Sequence, residues 1–150
     1  MKFGSIVAAG AAVLFASAAI ADLQPWQDYE TSEAVWSVTT VKVDANMGDA
    51  YLEGIKNTWV PGNEIAKELG QIEDYYIYRS DLPLSGDFNL LLVIKFASGE
   101  DLEPNKKRYE AFMKKFGQKR SDESTEFAQK NYPAMRELVG QYQFREITLK

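Results

Sequence analysis

The chain has 150 residues with 22 acidic and 17 basic side chains, and it contains neither cysteine nor histidine. Without these two residue types it cannot form disulfides or use Cys–His or Ser–His–Asp catalysis, and it cannot bind zinc or haem through such ligands. Proteins that bind nucleic acids or anionic membranes need basic patches to meet phosphates, so the acidic balance argues against both kinds of partner and leaves open only a local basic patch. We therefore predict no metal site, no cofactor and no nucleic-acid partner.

The first 21 residues have the pattern of an export signal. Lys2 precedes an apolar, alanine-rich run from Phe3 to about Ala18, and a small-x-small triplet closes the run at Ala21. Such a run is too short to span a bilayer comfortably. We predict a signal peptide at 1–21, no stable membrane anchor after its cleavage, and a periplasmic or secreted location.

The rest of the chain is long enough for one domain. Residues 22–33 are polar, contain two aromatic residues and show no period, which predicts an N-terminal arm. The predicted domain covers 34–150. Its first strand, at 34–43, is rich in β-branched side chains.

A helical crossover follows this strand. Leu52, Ile55 and Trp59 recur at helical spacing. Because Pro61 cannot donate its amide and crowds the carbonyl of Asn57, we expect the helix to kink or restart at Pro61.

Two strands are predicted next, at 72–79 and 88–96. The second contains the longest apolar run outside the N-terminus. Alternate residues of a strand face opposite sides. Leu90 and Leu92 therefore share one face, Leu91 and Val93 share the other, and both faces are apolar. This pattern is typical of a central strand covered on both sides.

The C-terminal third is predicted to hold two helices and a strand. An apolar stripe at helical spacing follows Pro104, and Gly117 suits the end of that helix. The stripe consists of Tyr109, Phe112, Met113 and Phe116. We expect a second helix that bends near Pro133 and continues to Gly140. The last strand is predicted at 142–149.

This order of elements predicts an α+β, ferredoxin-like βαββαβ fold, with a four-stranded antiparallel sheet and helices on one face. The other face would then be bare, although the strand at 88–96 is apolar on both sides. Exposed apolar patches of that size usually mark an interface. A second copy is the simplest cover, so we predict a homodimer that pairs as a dimeric α/β barrel.

Residues 34–149 resemble the dimeric α/β-barrel superfamily, which contains the antibiotic-biosynthesis monooxygenase-like domains. The segments 51–64 and 86–90 are similar to uncharacterised exported bacterial proteins of that plan. The resemblance implies either a binding domain or a cofactor-free oxygenase or haem-degrading enzyme, with Asn, Trp, Tyr, Arg or His in a pocket between sheet and helices. The absence of histidine weakens haem degradation in particular.

The candidate ligand-binding residues are Trp59, Asn63, Tyr76, Asn89 and Tyr109. Trp59 lies on the apolar stripe of its helix, which favours core packing over ligand contact. Asn63 could equally satisfy backbone groups near Pro61, and Tyr76 suits a strand whatever its use. Asn89 interrupts an apolar run and needs a partner, which could be a side chain, a water or a ligand.

Two functions remain open from the sequence. The first is an exported domain that binds a small apolar or aromatic ligand in a pocket between sheet and helices. The second is a cofactor-free monooxygenase or related enzyme acting on a small aromatic substrate. No catalytic residue can be named, because no side chain in the chain is an obvious base near neutral pH. Convergence of the five candidates on one cavity would favour the enzyme.

Overall fold

The computed structural model describes residues 22–82 and 86–150, so the predicted signal peptide lies outside the described residues. The elements in chain order are β1 (Tyr29–Thr31), β2 (Val35–Val43), α1 (Gly48–Asn57), α2 (Trp59–Glu68), β3 (Asp74–Arg79), β4 (Leu90–Phe96), α3 (Lys106–Phe116), α4 (Gln118–Asn131), β5 (Arg136–Phe144) and β6 (Ile147–Leu149). Two 3₁₀ turns lie at Gly99–Leu102 and Tyr132–Ala134.

The main sheet has four antiparallel strands in the order β3-β4-β2-β5. The first and third strands of the βαββαβ unit, β2 and β4, are therefore central. Both helical crossovers cover the same face of the sheet, which is the ferredoxin-like arrangement. The predicted fold class is confirmed.

The hydrophobic core lies between this sheet and the helices. Val41 and Leu90 are paired in the β2–β4 register and point to the helices. Tyr51 and Ile55 of α1 pack on them, each with only 1% of its surface exposed. Tyr132 completes the cluster and meets the ring of Tyr51 edge-on at 5.3 Å between centroids. This apolar cluster fixes α1 against the sheet.

The first crossover breaks at Thr58 and not at Pro61, so the predicted position of the break is wrong. The amide and the hydroxyl of Thr58 both donate to the carbonyl of Gly54, at 3.1 and 2.9 Å. Pro61 falls in the first turn of α2, where an amide has no helical partner to lose. The proline is therefore accommodated without a kink of its own.

The boundary between α4 and β5 also differs from the prediction. The helix ends at Asn131, Pro133 lies in a 3₁₀ turn, and β5 begins at Arg136. Leu138 and Gly140, which were expected in the helix, pair with β2. The apolar residues before Gly140 fit both the helical period and the two-residue period of a strand. Because β2 pairs with them, they form a strand.

The predicted last strand is split in two. Its second part, β6, leaves the main sheet and pairs with β1 of the N-terminal arm in a two-stranded ribbon. Arg145 holds the base of this ribbon by donating to the carbonyl oxygens of Ser32 and Glu33, at 3.0 and 2.7 Å. The arm is thus attached to the C-terminus. Within the described residues, no helix is long and apolar enough to cross a membrane.

Candidate functional site

A cleft of about 420 Å³ lies between α2, the sheet and the α3–α4 pair. It is lined by Thr58, Trp59, Gly62, Asn63, Ala66, Gln71, Ile72, Ile94, Phe112, Phe116, Ser121, Ser124 and Thr125. One wall is apolar and aromatic, and the other carries hydroxyl and amide groups. None of these lining side chains is ionisable.

Asn63 is the buried polar side chain of this cleft, with 8% of its surface exposed. Its amide nitrogen donates to the carbonyl of Trp59 at 2.8 Å, which fixes the orientation of the amide. No described residue donates to its amide oxygen. Among the described side chains, the Nε of Arg136 is the only nitrogen or oxygen atom that is both sealed from solvent and without a hydrogen bond. The Asn63 oxygen has no donor among the described residues and is not sealed, so it is accessible from the cleft.

Trp59 forms the aromatic wall next to Asn63. Its ring meets Tyr75 of β3 edge-on, with centroids 5.4 Å apart. The Tyr75 hydroxyl donates to the Glu64 carboxylate. This hydrogen bond, together with burial, raises the pKa of Tyr75 to about 12. The contact holds Trp59 between α2 and the sheet, so the wall is part of the folded frame.

A polar chain behind the cleft stabilises the helix break. The Thr58 and Tyr132 hydroxyls are hydrogen-bonded, and Thr58 donates its own proton to the Gly54 carbonyl. A side chain at Gly54 would lie 3.0 Å from the Tyr132 ring, so glycine permits this close approach. Burial raises the pKa of Tyr132. This series of hydrogen bonds ends on the Gly54 carbonyl, which cannot pass a proton on. It therefore stabilises packing and does not deliver a proton to the cleft.

Asn89 lies elsewhere, at the end of the sheet. Its side-chain oxygen accepts from the Val43 amide and its nitrogen donates to the Val43 carbonyl, both at 2.8 Å. The side chain thus extends the β2–β4 ladder by one pair. Asn89 borders a second cleft, of about 490 Å³, together with Arg79 and the start of α1.

The remaining two candidates are also outside the 420 Å³ cleft. Tyr76 lies on the bare face of the sheet and stacks on Tyr78. Tyr109 projects from α3 with 64% of its surface exposed. The five candidates therefore do not converge on one cavity. Trp59 and Asn63 share the cleft, and the other three do not reach it.

Sequence reasoning missed the hydroxyl wall of the cleft. Ser121, Ser124 and Thr125 come from α4 and are not among the five candidate residues. Their i, i+3, i+4 spacing is the signal that places them on one side of a helix. Phe112 and Phe116 of α3 were predicted as an apolar stripe and supply the facing wall.

The bare face of the main sheet carries its own apolar surface. Val38 pairs with Val93 and Thr40 with Leu91 at its centre. Stacked aromatic pairs occupy both edge strands, Tyr76–Tyr78 on β3 and Tyr142–Phe144 on β5. No described helix covers this face, and its rim side chains are exposed.

The fold and its cleft define a ferredoxin-like α+β domain. No protein-family model matches the sequence, and no curated protein matches it. Several solved structures are similar to it. HapK from Hahella chejuensis is 13% identical with a TM-score of 0.44, over 75% of this chain and 91% of that one. A NIPSNAP family protein of unknown function from Agrobacterium tumefaciens is 14% identical with a TM-score of 0.47, over 82% and 95%. A dimeric ferredoxin-like protein of unknown function from Bacteroides fragilis is 10% identical with a TM-score of 0.40, over 81% and 100%.

Proposed function

We propose that the protein binds a small, uncharged apolar or aromatic ligand in the cleft between α2 and the α3–α4 pair. The observation that carries this proposal is the Asn63 oxygen, an unpaired acceptor on a buried and oriented amide. A ligand that donates a hydrogen bond to this oxygen would take the place of the water that otherwise reaches it from the cleft, and one such neutral hydrogen bond has a net worth of about 0.5–1.5 kcal/mol.

The chemistry of the walls supports a neutral ligand. Trp59, Phe112 and Ile94 offer apolar contact, and no lining side chain carries a charge that could pair with an ionised ligand. Binding sites of this kind are mostly apolar with a few fixed polar groups. Acid–base catalysis needs a base within hydrogen-bond reach of the substrate, so the lining favours binding over the oxygenase alternative.

Two naphthalene derivatives test the role of Asn63. The probe 2-naphthol can donate a hydrogen bond, whereas 2-methoxynaphthalene cannot. Calorimetry on the Asn63→Leu variant should show a two- to tenfold loss of 2-naphthol affinity, since one neutral hydrogen bond is worth about 0.5–1.5 kcal/mol. The affinity for 2-methoxynaphthalene should not change.

Asn57→Leu is the matched control. Asn57 also donates its amide nitrogen to the carbonyl four residues earlier, at 2.9 Å, but it is exposed on α1. This variant should bind both probes as the wild type does. If Asn63→Leu keeps its full preference for 2-naphthol, or if neither probe binds the wild type, the proposal is wrong.

We also propose that the protein works as a homodimer in the periplasm or outside the cell. The bare sheet face supports the dimer, because Val38, Leu91 and Val93 form an apolar centre between two aromatic edges. A two-fold axis lets one such face cover its own copy and closes the assembly. The export part rests on the pattern of residues 1–21.

A further inference from the structure

Gln71 is a second side-chain amide that lines the 420 Å³ cleft. It follows the end of α2, where its backbone amide donates to the Ala66 carbonyl at 2.8 Å. Its side-chain nitrogen donates to the carbonyl of Arg108 on α3, also at 2.8 Å. The Arg108 guanidinium in turn donates to the backbone carbonyl of Gln71. These reciprocal hydrogen bonds fix the orientation of the Gln71 side chain between α2 and α3.

The side-chain oxygen of Gln71 is left without a protein partner. No donor within residues 22–82 and 86–150 bonds to it, and it is not sealed from the cleft. Asn63 is in the same situation, because its nitrogen is bonded to the Trp59 carbonyl and its oxygen is open to the cleft. The cleft therefore holds two oriented amides that each present a free oxygen. An amide oxygen can only accept, so any group that bonds to it must be a donor.

The two amides are set apart along α2. Asn63 lies five residues before Glu68, the last residue of the helix, which is roughly 8 Å along the axis. Gln71 lies beyond that end. The cleft lining between them includes the apolar side chains of Ala66 and Ile72. Two donors at opposite ends of one apolar body match this arrangement.

We propose that the cleft selects an apolar or aromatic ligand with two hydrogen-bond donors, one for the Asn63 oxygen and one for the Gln71 oxygen. This inference rests on the proposed binding function and names the class of ligand, of which an aromatic diol with its hydroxyls at opposite ends is the simplest example. The hydroxyls of Ser121 and Ser124 do not make this selection, because a serine hydroxyl rotates and can either donate or accept.

Three naphthalene probes separate the two hydrogen bonds. The first, 2-naphthol, has one donor, 2,6-dihydroxynaphthalene has donors at opposite ends, and 2,3-dihydroxynaphthalene has two adjacent donors. A second neutral hydrogen bond is worth about a two- to tenfold gain in affinity, and the symmetry of either diol adds a statistical factor of about two. In calorimetry the wild type should therefore bind the 2,6-diol about four- to twentyfold more tightly than 2-naphthol, and the 2,3-diol only about twofold more tightly.

Gln71→Leu removes the second acceptor. It should reduce the preference for the 2,6-diol over 2-naphthol to the statistical factor of about two. Gln71→Met repeats the test with an unbranched side chain, and thermal unfolding shows whether each variant is folded. Because the preference is a ratio measured within one variant, a general loss of affinity cancels.

Gln24→Leu is the matched control. The side-chain nitrogen of Gln24 also donates to a backbone carbonyl, that of Asp22 at 3.4 Å, but Gln24 is exposed on the N-terminal arm. This variant should keep the wild-type preference for the 2,6-diol.

The outcomes separate this inference from the proposed function. If the wild type binds 2-naphthol and Asn63→Leu weakens that binding, but the 2,6-diol shows only the statistical gain, the inference is wrong and the proposed function stands. An equal gain for the 2,3-diol, or an unchanged preference in the Gln71 variants, would also reject the inference. If no probe binds the wild type, both fail together.

Discussion

The two faces of the main sheet differ in their cover more than in their composition. On the helix side, Val41 is fully buried and Leu90 is 3% exposed under α1 and α2. On the bare side, Val93 is 5% exposed, because its neighbours in the sheet shield it. Towards the edges of that side, Tyr78 and Phe144 are each 53% exposed.

This difference shows that side chains on the same face of a sheet can shield one another from solvent. The central strands of the bare side are shielded by large residues on the strands beside them, whereas the aromatic residues of the edge strands have a neighbouring strand on one side only. Burial of apolar area contributes about 25 cal/mol per Å². The edge aromatics therefore gain most from a second copy, and variants on the two faces should behave differently.

The largest effect is expected from a charge at the centre of the bare face. Leu91→Asp would place a carboxylate in the proposed dimer interface, where an unpaired ion is strongly disfavoured. We expect self-association to weaken at least a hundredfold, which is about 2.7 kcal/mol. Sedimentation velocity should then show monomer where the wild type shows dimer.

Gln129→Asp supplies the matched charge on the exposed side of α4 and should leave the dimer intact. A soluble wild-type monomer at tens of micromolar would contradict the proposed dimer, since an apolar interface of this type is seldom stable when exposed.

The next effect compares the same substitution on opposite faces of one strand. Val41→Ala on the helix side should lower the free energy of unfolding by about 2–3 kcal/mol, from lost burial and the cavity left behind. Val38→Ala on the bare side should cost less than half of this in dilute, monomeric protein, because Val38 is only partly buried. Urea denaturation measures both, and equal costs would show that the faces are equally packed.

A smaller effect is expected from Asn89, which joins the two central strands. Asn89→Ala removes two hydrogen bonds and leaves the amide and carbonyl of the buried Val43 unpaired. We expect a loss of about 1–3 kcal/mol in the free energy of unfolding. The control Asn57→Ala removes an exposed helix contact and should cost less than about 0.5 kcal/mol. If Asn89→Ala lowers the free energy of unfolding as little as Asn57→Ala does, the two hydrogen bonds between Asn89 and Val43 do not contribute to stability.

Patterns within single elements predicted most of the fold. The two-sided apolar run around Leu91 identified a central strand, and the β-branched residues before Val43 identified its neighbour. The errors arose where contacts between residues distant in sequence determine the secondary structure. The helix breaks at Thr58, whose hydroxyl is hydrogen-bonded to Tyr132, 74 residues later. Residues before Gly140 form a strand because β2 offers them a ladder.

The same distinction applies to the candidate site, of which the sequence pattern brings only two residues together. Trp59 and Asn63 lie one helical turn apart, so a pattern on one helix brings them together. Asn89 was recognised as a polar interruption, but its partner Val43 depends on strand register, which the sequence does not reveal. Tyr109 fitted the apolar stripe of α3 by spacing, and its exposure depends on how that helix is rotated against the sheet.

The smallest effect concerns the contact that holds Trp59 between the two layers. The Tyr75 hydroxyl donates to Glu64, which raises the pKa of Tyr75 from 10.0 to about 12. Between these values the folded protein keeps a proton that the unfolded chain loses, so this contact loses stability as pH rises from 10 to about 12. Glu64 is exposed and Tyr75 is only half-buried, so solvent screening keeps the effect small. Tyr75→Phe should therefore flatten the decline in stability between pH 10 and about pH 12 in urea titrations, and Glu64→Gln, which removes the acceptor carboxylate, should flatten it similarly. Lys67 and Lys95, whose pKa values are raised mainly by hydrogen bonds to Asp74 and Glu73, lose their own stabilisation in the same alkaline range, so some decline remains in both variants. Declines parallel to that of the wild type in both variants would show that the Tyr75–Glu64 contact does not contribute to stability.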